Sequence, residues 1–233
     1  KKYYIILIDQ RGCGKSTPLG ETKENDTHKL IYDFEKIRKE LGIKKWILSG
    51  GSWGSFLSLV YAIKHPEVIK RLVLRGIYLG GKDEIEWVFN GTGANHFYPE
   101  DWKEFVSVIP KSERDDLVKA YDKRIHGKLG KKSQEKALMA YSKWEAKISN
   151  LKQASKKEID NELKSNDVYK TLALLESHYF KNNNFTTVDY LKKKENYSNI
   201  KNIPIDIVHG RYDLVCPPSV AYLLKELVPH AKL

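Results

Sequence analysis

Two rhythms of apolar residues divide the chain. Up to about residue 76, short apolar runs alternate with stretches in which apolar positions recur every three or four residues. Residues 3–9 form a run of aromatic and β-branched side chains and predict a buried strand. Residues 28–41 carry Leu30, Ile31, Phe34 and Ile37 at helical spacing, with Gly42 as the stop. Residues 46–49 predict a second strand, residues 55–64 a helix ended before Pro66, and residues 69–74 a third strand. This β-α-β-α-β order predicts a parallel sheet with helices on its faces.

From about Gly80 the short strand-like runs disappear. Residues 102–109, 112–126, 133–151, 157–164 and 168–179 all read as helices. Strand character returns at residues 204–209, a helix follows over 217–227, and the chain ends at Leu233. The fold class expected is therefore α/β: a parallel-sheet core from residues 1–80 and 201–233, with an all-helical insertion over residues 81–200.

The junction after the second strand carries chemistry. Gly50-Gly51-Ser52-Trp53-Gly54 is a G-x-S-x-G motif between a strand and a helix, the setting of a nucleophile elbow. The sharp turn needs small neighbours and lifts the Ser52 hydroxyl beyond the strand end. It also aims the backbone N–H of Trp53 at a reacting carbonyl, as an oxyanion donor. His209-Gly210-Arg211-Tyr212-Asp213 follows the late strand, so Asp213 is expected on the same sheet edge as Ser52. There it suits the acid of a Ser-His-Asp triad; on spacing alone it equally suits a cap for the helix near Pro217.

Composition narrows the function classes. No run approaches the roughly 18 apolar residues of a membrane span, and the start of the chain reads as a strand and not as a secretory signal. Two cysteines, Cys13 and Cys216, fit a reducing compartment, so a cytoplasmic location is expected. The sequons at Asn25, Asn90, Asn184 and Asn196 are then chance occurrences. The net charge is +11, and +7 of it falls in residues 111–200. Those lysines are interleaved with acids and have no stacking aromatics, which predicts a solvated helical surface and no nucleic-acid partner. Gly12-Cys13-Gly14-Lys15-Ser16-Thr17 mimics the end of a phosphate-binding loop, but Asp9 stands where that motif needs glycine. No His/Cys/carboxylate set has metal-ligand spacing, so no metal or organic cofactor is expected.

Several segments together resemble the proline iminopeptidases, serine peptidases of the α/β-hydrolase fold. They are residues 9–18, 50–55, 74–78, Trp144-Glu145, 176–180 and 209–213. The resemblance implies hydrolysis of an N-terminal proline from a peptide, with Ser52 as nucleophile and Asp213 as triad acid. The helical insertion matches the family's cap. Glu145 matches a residue that binds the substrate's free amino group, Glu176 a second acid that assists it, and Arg75 a brace for Glu145. Trp53, Tyr78 and Phe89 are candidates for the pocket that takes the pyrrolidine ring, with plain core packing as the alternative. Cys216 is expected to line that pocket as a thiol. After Trp87 the family places a further aromatic where this chain has Val88, which implies a softer wall.

Two expected parts have no match. The family's triad histidine lies well beyond the acid, whereas His230 is the sole histidine after Asp213 and precedes the segment expected to form the last strand. The family's His-Gly-Gly-Pro loop, which supplies the other oxyanion N–H, would precede Lys1. The sequence is therefore read as an internal piece of a longer chain, catalytically inert by itself, whose base lies outside it. The expected partner is a peptide with a free N-terminal proline; oligomeric state is not legible. Two alternatives remain: a capped serine hydrolase of another ester or amide, and a binding module that has lost the chemistry.

Overall fold

The computed structural model describes residues 3–152, 154–165 and 168–233. Three parallel strands, β1 (Trp46–Ser52), β2 (Ile69–Ile77) and β3 (Ile205–Val208), form a sheet in the order β1-β2-β3. Helix α1 (Thr27–Glu40) starts where Asp26 accepts a hydrogen bond from the Lys29 N–H at 2.8 Å, and it ends in Arg38 and Lys39. Both ends thus suit the helix dipole. Helix α2 (Trp53–Lys64) is apolar on most of its surface and is buried against the sheet. Phe56, Leu59, Val60 and Tyr61 meet Leu72, Leu74, Ile205 and Ile207 in this core.

Between β2 and β3 the chain is helical: α3 (Lys82–Phe89), α4 (Pro99–Ser107), α5 (Leu117–Ile125), α6 (Lys131–Ile148), α7 (Lys156–Ser165) and α8 (Val168–Lys181). These helices have their own core, in which Phe89, Phe105, Tyr121, Tyr141 and Trp144 pack as stacked and edge-on rings. Phe180 and Val215 pack against both cores and tie them together. Helix α9 (Pro218–Leu227) then returns to the sheet.

Most expected elements are present within a few residues, and the differences have physical causes. Residues 3–9 do not form a strand. No ladder partner reaches them among the described residues, and Tyr3, Tyr4, Ile5 and Leu7 are 68–90% exposed. A strand's backbone groups need a neighbour, which no local pattern can supply. Residues 112–126 do not form one helix: a short 3-10 turn ends first, and Asp116 caps a new helix through the Lys119 N–H. Helix α3 was not foreseen. It is short, and Glu84 at its third position reaches back to the Gly81 N–H at 2.8 Å. Lys232 pairs in parallel with Asp206, so the chain's last residues run beside β3 as a strand there should.

The β1–α2 junction is an elbow in fact. Ser52 has φ 52° and ψ −124°, a conformation L-residues avoid, at a cost of about 1–3 kcal/mol. Its C=O accepts from the Ser55 hydroxyl at 2.7 Å, and it sits in register with Ile77 of β2. A Cβ on Gly50 would lie 2.2 Å from the Gly54 carbonyl oxygen, while a Cβ on Gly54 would meet nothing within 4 Å. The first glycine is therefore what the turn requires.

Two predictions follow from this packing. Gly50→Ala destabilises the fold by about 2 kcal/mol or more and lowers Tm by at least about 4 °C, whereas Gly54→Ala leaves Tm unchanged or raised; thermal unfolding of both variants checks this. The second concerns Glu35 on α1, which accepts two hydrogen bonds from Arg38 and one from the Tyr61 hydroxyl. The Arg38 guanidinium, chiefly, holds its carboxyl down at about 2. A depressed carboxylate stabilises fully above its unfolded value near 4.5, and that contribution fades as pH falls toward about 2. Arg38→Ala is expected to move the acid-unfolding midpoint to higher pH, as read by circular dichroism.

Candidate active site

Because the strands are parallel, the ends of β1, β2 and β3 deliver Ser52, Tyr78 and the loop at residues 209–216 to one edge of the sheet. Gly76 lies between the two chemical groups. A methyl placed on it would sit 3.7 Å from the Ser52 N and 3.6 Å from Asp213 Oδ2, with Gly76 itself at φ +47°. Asp213 is locked by its own loop: Oδ1 accepts from the Cys216 N–H at 2.8 Å and the Val215 N–H at 3.1 Å. His209 ties that loop to the sheet. Its Nδ1 accepts from the Ile77 N–H at 3.1 Å, so its Nε2 carries the proton, which goes to the Cys216 carbonyl at 2.8 Å. Both ring nitrogens are thus engaged, and His209 serves as a positioning residue and not as a base.

Ser52, Trp53, Tyr78, Phe89, Glu145, Glu176 and Cys216 all line one cavity of about 120 Å³. Asp213 does not. It lines a separate depression with Tyr98, residues 148–151 and residues 210–214. Trp53 opens α2, where the helix leaves the first N–H groups unpaired and its dipole is positive. The indole is held in place, donating to Gln10 Oε1 at 3.0 Å and stacking on Phe56 with ring centroids 5.1 Å apart. Burial pushes the Cys216 thiol up to about 12, which makes it a neutral wall at ordinary pH.

The polar end of the cavity is two acids. Glu145 comes from α6 and Glu176 from α8, and both are deeply buried. The two carboxyls and the Tyr141 hydroxyl influence one another's titration. Each carboxyl keeps one oxygen, Oε2, without any hydrogen-bond partner. Burial raises both carboxyls, and for Glu176 the neighbouring Glu145 charge raises it further. Among the described residues no lysine, arginine or histidine lines the cavity. The walls are Phe89, stacked on Tyr141 at 4.7 Å, with Val88, Phe180 and Val215. Tyr78 closes one side, its hydroxyl bonded to Asn184.

One expectation is corrected here, and three other features gain a structural account. Arg75 does not brace Glu145; it lies across Gly51, where a Cβ would stand 2.7 Å from its guanidinium carbon. The geometry of the elbow, not an ion pair, explains its place. His230 bonds the Ile203 carbonyl at 3.0 Å, before the start of β3 and therefore at the sheet edge opposite Ser52. The loop that mimics a phosphate site is filled from within: the Lys15 N–H donates to the Asp9 carboxylate at 2.9 Å. Asn25 and Asn184, two of the sequon asparagines, are buried and hydrogen-bonded.

Sequence reasoning missed other wall residues although a signal existed. Leu172, Leu175, Tyr179 and Phe180 share one helix face with Glu176, which was named, and Ile85 shares one with the named Val88 and Phe89. Gln10 and Cys13 belong to a loop with no periodicity, and nothing local marked them or His209.

Comparison with known proteins fits this geometry. The family described as alpha/beta hydrolase fold matches residues 1–233. A proline iminopeptidase of Neisseria meningitidis serogroup B is 42% identical over 99% of this chain and 72% of its own length. One from Arabidopsis thaliana is 42% identical over 99% of this chain and 60% of its own length. Among solved structures, an α/β hydrolase from a deep-sea metagenome library, MGS-M2, superposes with a TM-score of 0.59 at 17% identity, covering 97% of this chain and 68% of that one. An α/β-fold hydrolase from Bacillus anthracis gives 0.56 at 24%, covering 96% and 70%. The last two speak to the fold alone. The chain belongs to the proline iminopeptidase family of α/β-hydrolase-fold enzymes.

Proposed function

We propose that the polypeptide carrying this chain is a serine exopeptidase that releases N-terminal proline, with residues 81–200 acting as a cap over the core of residues 1–80 and 201–233. The observation that carries this reading is the pair of buried carboxyls with unpaired oxygens in the same small cavity as the elbow serine. A charged chain terminus is the group that such a pair lacks, and it would be held by charge-assisted hydrogen bonds. With the amine on Glu145 and Glu176, a cavity of this size leaves the first residue's carbonyl for Ser52. Tyr78, Phe89 and Cys216 flank the pyrrolidine ring, and the Trp53 N–H takes the developing oxyanion.

The base in this reading is a histidine outside the 233 residues, oriented by Asp213. It removes the Ser52 proton as Oγ attacks, then gives that proton to the leaving amine. Water hydrolyses the prolyl ester in a second round of the same proton transfer. By themselves the 233 residues are expected to turn over no proline amide.

Two outcomes test this. In the polypeptide that carries the chain, Ser52→Ala abolishes proline release from a Pro-Ala dipeptide while dipeptide binding persists; undiminished release would show that another group attacks. The double variant Glu145→Gln/Glu176→Gln keeps the shape and removes the charge, and it raises KM for free-amine substrates by about 10- to 150-fold. The same variant is more stable than the parent, and more so at about pH 8 than at about pH 5. Carboxyls raised by folding cost stability once pH exceeds their unfolded values, and glutamine carries no such cost. If the double variant keeps full activity, the capped hydrolase acts on another acyl group; if a fluorophosphonate fails to label Ser52, the fold is a binding module.

A further inference from the structure

One wall of the cavity is held from a place outside it. Tyr78 follows the end of β2 and lines the cavity together with Ser52. Its backbone is fixed on the elbow side, where its N–H donates to the Ser55 hydroxyl at 3.0 Å. Its ring is packed less closely. The centroids of Phe56 and Phe180 lie 5.9 and 6.0 Å away at interplanar angles of 45° and 61°, against 4.7 Å for the stacked pair Phe89–Tyr141. Those distances fall in the outer half of the range for ring pairs, so packing alone does not fix the tilt of the ring. The far end of the ring is its hydroxyl, which accepts from Asn184 Nδ2 at 3.0 Å and lies 3.4 Å from Asn184 Oδ1.

Asn184 is itself held in an unfavourable conformation. Asn183, Asn184 and Phe185 have φ of 49°, 54° and 54°, a left-handed turn that L-residues avoid and a bulky residue such as Phe185 avoids most. The turn is secured by its neighbours. The buried Thr27 hydroxyl of α1 donates to the Asn184 carbonyl at 2.5 Å, and Phe185 packs edge-on against Tyr179 with centroids 5.5 Å apart. Asn184 is fully buried and is not among the residues that line the cavity. Its Nδ2 donates to the Tyr78 hydroxyl and also to the Gly80 carbonyl, the latter at 3.3 Å. Two demands therefore meet at this position: a left-handed backbone and an N–H donor on a short side chain. Glycine and aspartate tolerate the backbone but lack the donor. Glutamine has the donor without the tolerance, and asparagine has both. Strain of this kind persists where the surroundings over-determine it, and here it aims one buried amide at the cavity wall.

We propose that Asn184 is a positioning residue for the substrate: it tethers the Tyr78 hydroxyl and so fixes the wall against which the pyrrolidine ring rests. Without the amide, the hydroxyl is a buried polar group with no partner. The ring then turns to find one, which changes the shape of a cavity of only about 120 Å³. Ser52 and Asp213 are held by other bonds, to Ser55 and to the Cys216 N–H, so the effect falls on fit and not on the chemical step. The inference rests on the exopeptidase reading, because that reading puts the pyrrolidine ring beside Tyr78.

A double-mutant cycle in the polypeptide that carries this chain tests it, read by steady-state hydrolysis of L-proline p-nitroanilide and by thermal unfolding. Asn184→Gly keeps the left-handed backbone and the carbonyl that Thr27 bonds, and removes the amide. It is expected to raise KM by about 5- to 30-fold and to change kcat by less than about 2-fold. In the Tyr78→Phe background there is no hydroxyl to tether, and the same substitution is expected to change KM by less than about 2-fold. The same factor in both backgrounds, or no rise in KM, overturns the inference, because support given through Gly80 alone does not depend on the hydroxyl. Asn184→Asp serves even if Asn184→Gly fails to fold. It keeps the size and the backbone and still accepts from the Tyr78 hydroxyl, but it meets the Gly80 carbonyl with an oxygen. It is expected to lower Tm while KM stays within about 2-fold of the parent. A KM that rises with the loss of stability assigns Asn184 a structural role and overturns the inference. A parent that releases no p-nitroaniline sinks the exopeptidase reading and this inference with it; a parent that does, with independent effects at 78 and 184, sinks this inference alone.

Discussion

The site depends on the parallel pairing of β1 with β2. It sets Ser52 opposite Ile77 in register, and it does so through an irregularity between Gly51 and Ser52 that turns the chain into α2. The left-handed backbone at Ser52 is unfavourable in isolation. It persists because the Ser55 hydroxyl, the Gly50–Gly54 approach and the β2 ladder fix the chain on both sides of it. The same pairing carries the rest of the site. The Ile77 N–H fixes His209, His209 fixes the Cys216 carbonyl, and the Cys216 N–H fixes Asp213. One strand register thus sets the relation between the nucleophile and the acid of the proposed triad.

The helical segment works against stability where it serves binding. Two carboxyls buried among Phe89, Val88 and Phe180 with orphan oxygens are a liability that a packed core of the same shape would not have. The surrounding aromatic stack supplies the compensation: Trp144 is fully buried and donates to the Val88 carbonyl at 2.9 Å, and Phe105 stacks on Tyr121 at 4.4 Å. Rigidity of that stack keeps the acids apart from solvent and from other donors. A buried socket with two unsatisfied carboxyl oxygens is stable enough to exist and unsatisfied enough to bind.

What the sequence revealed follows from the range of each physical cause. The elbow was legible because its requirements are local: a strand, a tight turn with a glycine at 50, and an apolar helix. The change from alternating strands to helices near Gly80 was legible because periodicity is local too. Residues 3–9 misled, since an apolar run says nothing of whether a partner strand is at hand. Helix α3 was missed because its eight residues are too few to show a rhythm. The cavity lining was half legible. Glu145, Glu176, Tyr78, Phe89 and Cys216 came from the family resemblance, and α8's inner face was there in the spacing of residues 172, 175, 176, 179 and 180. Arg75 was misplaced because a motif gives a neighbour in sequence and not a direction in space.

The central claim is that a free, charged N-terminus is held at Glu145 and Glu176 while Ser52 attacks the first carbonyl. It is tested most directly by comparing kcat/KM for a Pro-X dipeptide with that for its N-acetylated form in the polypeptide carrying this chain. Acetylation removes the charge and leaves no N–H on the proline nitrogen. The account predicts a loss of at least about 100-fold, as expected when charged buried groups lose their partner. Equal turnover of the two substrates would contradict it.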